Sequence, residues 1–102
     1  MTLIDQDASF NHWTMAGIKP TVTSLAENTL PEGAVVALNG SGAARYTGPC
    51  PPAGTTHTYR VTVHYLDSAL LLSSGGSPDD MRLAIDDATL ATAQVTGTFT
   101  GT

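Results

Sequence analysis

Apolar and polar positions alternate most regularly between Thr56 and Asp67. Tyr59, Val61, Val63 and Tyr65 fall on one side of that pattern and Arg60, Thr62 and His64 on the other, a period of two that predicts a β-strand. Thr2 to Asp5 is a short apolar run ending in acids and reads as the end of another strand. A further run, His12 to Ile18, alternates in the same way until Lys19-Pro20 stops it, because the residue before a proline is pushed out of the helical region. Thr21 to Gly33 reads as an irregular connection. Ala34 to Leu38, ahead of the turn signal Asn39-Gly40, leaves strand and loop both open. Ser73 to Ser77 predicts a flexible turn. Ser77 then has the character of an N-cap, with Pro78 at the first helical position and Asp79 and Asp80 where the positive end of the helix dipole favours carboxylates. Met81, Ala84 and Ile85 give that helix one apolar stripe, and its expected end lies near Asp86-Asp87. The Thr- and Val-rich stretch Ala91 to Phe99 predicts a final strand. No segment repeats.

Composition agrees with a strand-rich domain. The chain has 102 residues, enough for one core of modest size. Charged residues make up 13%, against roughly 25% in an average soluble protein. Thr, Ser, Ala and Gly fill the difference, and abundant Thr favours strands. With a net charge of −5 and only Lys19, Arg45, Arg60 and Arg82 as scattered cations, no cluster exists to neutralise phosphates, which argues against nucleic acid as a partner. The single cysteine, Cys50, makes no internal disulfide and is compatible with a reducing compartment. No run approaches the roughly 20 apolar residues that span a bilayer, and Met1 to Asp5 lacks the features of a signal peptide. The expected location is therefore cytoplasmic.

Two stretches carry the candidate chemistry. Gly48-Pro49-Cys50-Pro51-Pro52 is a rigid turn, since each proline locks φ and deletes an N–H donor, and it leads within a few residues to His57-Thr58-Tyr59. Asp5-Gln6-Asp7, followed by His12-Trp13, offers two carboxylates and a second histidine. If they meet in space they form a small polar pocket with rigid walls. Cys50 is read as a wall residue, because a nucleophilic cysteine needs a base beside it. His64 is read as structural or exposed, and Asp79, Asp80, Asp86 and Asp87 as helix-end and surface charges. The residue types would suit zinc, but no His-x3-His or Cys-x2-Cys element is present, so no metal and no cofactor is expected. Ser73 to Gly76 lacks the Lys-Ser/Thr sequel of a phosphate-cradling loop.

The order of these motifs along Leu3 to Phe99 resembles the phosphatidylethanolamine-binding protein family, in its bacterial and archaeal Raf kinase inhibitor-like branch. Gly48-Pro49-Cys50-Pro51-Pro52 with His57 and Tyr59 is the most specific part. The resemblance implies a mainly β fold, an antiparallel β-sandwich with one short helix near 78–86 and an anion pocket at one end. By position, Asp5 and Asp7 match the family's paired acids, His12 and His57 its two histidines, Cys50 and Pro51 the turn that closes the pocket, and Tyr59 its tyrosine. The family usually carries prolines where this chain has Gln6 and Ser9, and an arginine where it has Thr58. The strands that precede Thr2 in the family are missing, so the single domain 1–102 is expected to be N-terminally truncated. Truncation implies either a fragment or self-association through the sheet edge exposed beside β-strand Thr2–Asp5.

The function expected from this is non-catalytic binding of phosphate or a phosphorylated small molecule such as a phosphoethanolamine head group, with a possible regulatory role resembling kinase or protease inhibition. Two imidazoles can donate to phosphate oxygens, and a tyrosine hydroxyl can complete the shell. The alternatives are a small hydrolase using the His/Asp cluster as general acid and base, without a Gly-x-Ser-x-Gly elbow to support it, and a degenerate member with a structural role in an oligomer.

Overall fold

The structure, a computed structural model, describes all 102 residues. Strands β1 (Thr2–Asp5), β2 (Phe10–Ala16), β3 (Val35–Val36), β4 (Thr56–Leu66) and β5 (Thr89–Thr100) and one helix, α1 (Pro78–Ala88), follow one another with α1 between β4 and β5. The strands form one antiparallel sheet in the order β3-β2-β1-β4-β5. The mainly β fold with a single short helix is therefore as expected. One expectation is corrected. The short strand at Thr2 is not an edge: β1 is the middle strand, bonded to β2 on one side and β4 on the other. The free edges belong to β3 and β5.

The helix begins and ends for local reasons. Ser77 is extended (φ −60°, ψ 133°), and its hydroxyl accepts from the Asp80 N–H at 3.4 Å, with Pro78 opening the first turn. The helix runs to Ala88, just past the expected end, because the Thr89 N–H bonds the Asp86 carbonyl and the Thr89 hydroxyl donates to the Ile85 carbonyl at 2.6 Å. Met81, Ile85 and Ala88 are its buried residues, spaced four and then three apart on one face. Met81 and Ile85 join Ala16 and Ala37 in the core, with Val35, Leu66, Leu70 and Leu72 around it. Full burial of the Met81 and Ile85 side chains contributes about 1.5–3 kcal/mol each.

The two faces of β4 divide differently from the simple alternation. The side carrying Arg60, Thr62 and His64 is half-buried, and Leu66 on that side reaches the core beneath α1. On the other side Tyr59 is buried, yet Val63 and Tyr65 are 44% and 69% exposed. The cross-strand partners on that open side, Val95 opposite Val61, Ala93 opposite Val63 and Ala91 opposite Tyr65, are exposed as well.

Candidate functional site

The site forms at the end of the open face where β1, β2 and β4 lie together. Asp5 pairs with Tyr59 across β1 and β4, so both point to the same face, and His57, two residues earlier on β4, joins them. His12 arrives by a bulge. Leu3 pairs with Trp13 while Ile4 pairs with Asn11, which leaves His12 as the extra residue of β2. The bulge turns the His12 ring onto the Tyr59 ring at 5.4 Å, edge to face, with Phe10 packed on its other side at 4.7 Å.

Hydrogen bonds fix both imidazoles. His57 Nδ1 lies 2.6 Å from Asp5 Oδ2, and His12 Nδ1 lies 2.8 Å from the Thr47 carbonyl. A carbonyl oxygen only accepts, and the Asp5 carboxylate does the same, so Nδ1 carries the proton in both rings. Each Nε2 is left without a protein partner, as an acceptor in the neutral ring and a donor in the charged one. Asp5 is itself held from several sides. Its Oδ1 accepts from the Asp7 and Ala8 N–H groups at 2.9 and 3.0 Å. Burial pushes its pKa up, but the hydrogen bond from His57 and those from Ala8 and Asp7 together outweigh burial, and the net direction is below the ordinary 3.8. Asp5 is thus a buried carboxylate whose charge faces His57.

The remaining residues take distinct places. Asp7 is exposed and reaches no histidine; its Oδ2 accepts from the Thr58 N–H at 2.6 Å, tying the acidic turn to β4. The role of orienting a ring therefore falls to Asp5 for His57 and to a backbone carbonyl for His12. That acidic turn contains Ser9 at φ 52°, a value closed to proline, so a serine here makes a turn that the family's usual residue cannot. Pro51 is buried and Cys50 exposed. The proline turn is clamped by the end of the last strand, where Gly101 donates to the Thr55 carbonyl and accepts from the Gly54 N–H. A Cβ at Gly101 would overlap the Pro51 and Pro52 carbonyls, so that close approach requires glycine. The Tyr59 hydroxyl is buried without a hydrogen-bond partner. Its burial, with the charge of Asp5 next in importance, raises its pKa above the ordinary 10.0 and keeps the phenol a neutral O–H donor.

Three contributors lie outside the sequence motifs: the Thr47 carbonyl, Gly101 and Asn39. Asn39 is 4% exposed. Its amide donates to the Arg45 carbonyl and the Thr47 hydroxyl at 2.9 and 2.7 Å, and its Oδ1 accepts from the Ser41 and Ala43 N–H groups and the Ser41 hydroxyl. The loop it closes presents Thr47 to His12. The Asn39-Gly40 turn signal marked this position, although not its reach. Asp5, Asp7 and His57 each bring one ligand-type atom within 4.8 Å of the others. Asp5 Oδ2 and Asp7 Oδ2 are, however, already engaged by His57 and the Thr58 N–H, bonds that an ion would have to displace.

Fold and site define a small antiparallel β domain with a histidine–carboxylate cluster beside a rigid proline turn at one end of its sheet. The chain belongs to the phosphatidylethanolamine-binding protein family, whose family model matches residues 1–100. It is 42% identical over 91 residues to a Mycobacterium tuberculosis protein named as a lipoprotein, LppC, covering 88% of this chain and 45% of that one. To a UPF0098 protein of Methanothermobacter thermautotrophicus it is 37% identical over 95 residues, covering 88% of this chain and 62% of the relative. The crystal structure of YbcL from E. coli, described as a member of the mammalian PEBP family, superposes with a TM-score of 0.88 at 31% identity, over 99% of this chain and 70% of YbcL. The chain thus spans about half the length of the mycobacterial relative and under two thirds of the archaeal one. No helix is long and apolar enough to cross a membrane.

Proposed function

We propose that this protein binds phosphate or a phosphorylated small molecule, such as a phosphoethanolamine head group, without turning it over. The observation that carries the reading is the Tyr59 hydroxyl, a buried donor with no partner, in a ring packed on His12 and close to Asp5. A buried donor left unmade is costly, and an anion's oxygen is the acceptor that would satisfy it. The Nε2 atoms of His12 and His57 add two donors when the rings are protonated, each held in place through its Nδ1. Asp5 orients His57, Pro51 and Cys50 form the wall, and Asp7 braces the turn and offers a carboxylate to the ammonium group of a zwitterionic ligand. The family's name supports the same ligand chemistry. A regulatory role, by competition for a phosphorylated or kinase partner, belongs to the proposal.

A chemical-shift titration with inorganic phosphate and with phosphoethanolamine tests it, on the unaltered chain and on His12→Ala and His57→Ala. Shifts are expected at His12, His57 and Tyr59 and are lost in the variants; shifts centred elsewhere, or surviving both substitutions, remove the site. One observation favours a second reading. An Asp–His pair at 2.6 Å with a free Nε2 is also the arrangement of a general base. Hydrolysis of a phosphate or acyl ester that disappears in His57→Ala would establish that role instead. A normally folded chain that takes up no anion would leave a structural role. We propose a cytoplasmic location, with which the single free thiol is compatible. Fractionation checks this, and recovery with the envelope, where a protein named as a lipoprotein would be found, overturns it.

A further inference from the structure

The turn after β1 and the start of β4 bring three metal-ligand side chains together. Asp5, Asp7 and His57 each place one ligand-type atom within 4.8 Å of the others. Sequence spacing hid this set, because Asp5 and His57 are neighbours in the sheet but 52 residues apart in the chain. One imidazole with two carboxylates is a donor set that suits zinc. Both carboxylates are oriented by backbone N–H groups, as ligating carboxylates commonly are. Asp5 Oδ1 accepts from Asp7 and Ala8, which leaves Oδ2 facing His57, and Asp7 Oδ2 accepts from Thr58. An ionised carboxylate has about four lone-pair sites, so the Thr58 bond leaves Asp7 able to ligate as well. A separate observation points to a ligand here. Tyr59 is 6% exposed, and its buried hydroxyl has no hydrogen-bond partner. Its pKa is raised by burial first and then by the nearby charges of Asp5, Cys50 and Asp7, so the hydroxyl stands beside the cluster. Two carboxylates also repel a phosphate group, and a dication between them removes that conflict.

We propose that Asp5, Asp7 and His57 hold a divalent cation of the zinc type, which replaces the proton between His57 and Asp5 and takes an oxygen of the phosphoryl ligand at its fourth position. The second half rests on the anion reading and the first does not. Neither half depends on what lies against the outer faces of the sheet. In the neutral metal-free ring, Nδ1 carries the proton and bonds Asp5 Oδ2. The ion binds the Nδ1 lone pair, that proton leaves to water, and Nε2 takes one up. The ring stays neutral with no net release, and Nε2 changes from acceptor to donor without becoming charged. Ligands about 2.1 Å from a tetrahedral zinc lie about 3.4 Å apart, so the 2.6 Å separation of His57 Nδ1 and Asp5 Oδ2 has to open. The imidazole is the side that gives, at 20% exposed against 5% for the carboxylate.

Zinc chloride titrated into the metal-free chain, followed by calorimetry and by proton–nitrogen spectra of the imidazoles, tests the first half. One ion per chain is expected, with His57 moving from the Nδ1–H to the Nε2–H tautomer. Asp7→Asn, at an exposed position, is expected to weaken zinc about tenfold or more, and His57→Ala to abolish it. Cys50→Ser is expected to take up zinc as before, and loss there would give the ion to the thiol and overturn the proposal. No uptake overturns it. Uptake that leaves the His57 tautomer unchanged, or that survives both Asp7→Asn and His57→Ala, means an adventitious ion only and overturns it too. Phosphoethanolamine titrated with and without zinc tests the second half. Zinc is expected to tighten it about tenfold, and phosphoethanolamine to tighten zinc by the same factor. Zinc bound without that gain overturns the second half and leaves the anion site independent of metal. Zinc bound to a chain that takes up no phosphoethanolamine overturns the anion reading and leaves the metal site in place.

Discussion

At the level of single residues the site depends on groups that hold other groups. Tyr59 is the exception, a buried donor near the Asp5 carboxylate whose hydroxyl completes no hydrogen bond within the fold. Removing its hydroxyl takes away an unmade bond, so Tyr59→Phe is expected to melt no lower than the unaltered chain while binding phosphate about tenfold more weakly, the worth of a typical hydrogen bond to a charged group. Thermal melts and phosphate titration of the same variant check both halves. Asn39 behaves oppositely. It touches neither histidine, but its amide closes the loop that brings the Thr47 carbonyl to His12. Asn39→Ala leaves buried partners unpaired and is expected to cost about 1–3 kcal/mol, with the His12 resonances shifted and those of His57 in place. The motif residues Asp5, His12, His57 and Tyr59 were legible in the sequence because their types and order carry the family's pattern. The partner of His12 was not, since a backbone carbonyl has no residue identity to read. The separate place of Asp7 was hidden for a related reason. Two acids separated by one residue look equivalent in sequence, and only the turn decides which faces the ring and which faces the backbone of β4.

At the level of elements, the helix and the long strand were written plainly. Ser77-Pro78-Asp79-Asp80 sets the start of α1, and a period of two over Tyr59 to Tyr65 sets β4. The bulge at His12 had no such signal, because alternation through Trp13 and Met15 continues past it. Which face of β4 would be covered was hidden as well. The apolar side of the alternation predicts burial, but α1 covers the side of Arg60, Thr62, His64 and Leu66, since its own stripe of Met81 and Ile85 meets Ala16, Ala37 and Leu66 there. That stripe is where the sheet depends on the helix. Ile85 is 1% exposed, and Ile85→Ala is expected to destabilise the domain by about 2–5 kcal/mol, measured as a lower midpoint in urea. The site lies on the other face of the sheet, so phosphate affinity of the fraction still folded is expected to be unchanged.

For the whole molecule, the few titrating groups that change character on folding limit stability from both ends of the pH scale. His64 Nδ1 bonds the Thr89 hydroxyl at 3.2 Å, and that hydroxyl has already given its proton to Ile85. The imidazole is therefore the donor, with Nδ1 protonated. Burial, with the Met1 amino group adding to it and Asp86 opposing, lowers the His64 pKa below the ordinary 6.5. The unfolded chain then binds the proton more readily, so this contribution is present above 6.5 and is lost as pH falls through the folded value. Asp5 has the same sign in a lower window. Its folded pKa is depressed, and the stability it provides is present above 3.8 and declines as its carboxylate is protonated. Tyr59 limits the other end. Its raised pKa keeps the buried phenol neutral, a contribution full below 10.0 and lost as pH rises through the folded value. Melting midpoints measured across the pH range are expected to show a plateau between the amino-terminal and tyrosine windows and a descent on either side. The acid limb should begin with the Met1 amino group, whose burial lowers its pKa from 8.0 to about 6, continue with His64 and steepen with Asp5. His64→Gln is expected to remove the histidine part of that limb, Asp5→Asn its lowest part and Tyr59→Phe the alkaline limb; Asp5→Asn also moves the alkaline limb to lower pH, because the Asp5 charge helps to raise the Tyr59 pKa. An acid limb whose histidine part survives His64→Gln would mean that burial does not hold the His64 ring neutral. Loss of all three features in any one variant would mean a general weakening of the sheet in place of three separate titrations.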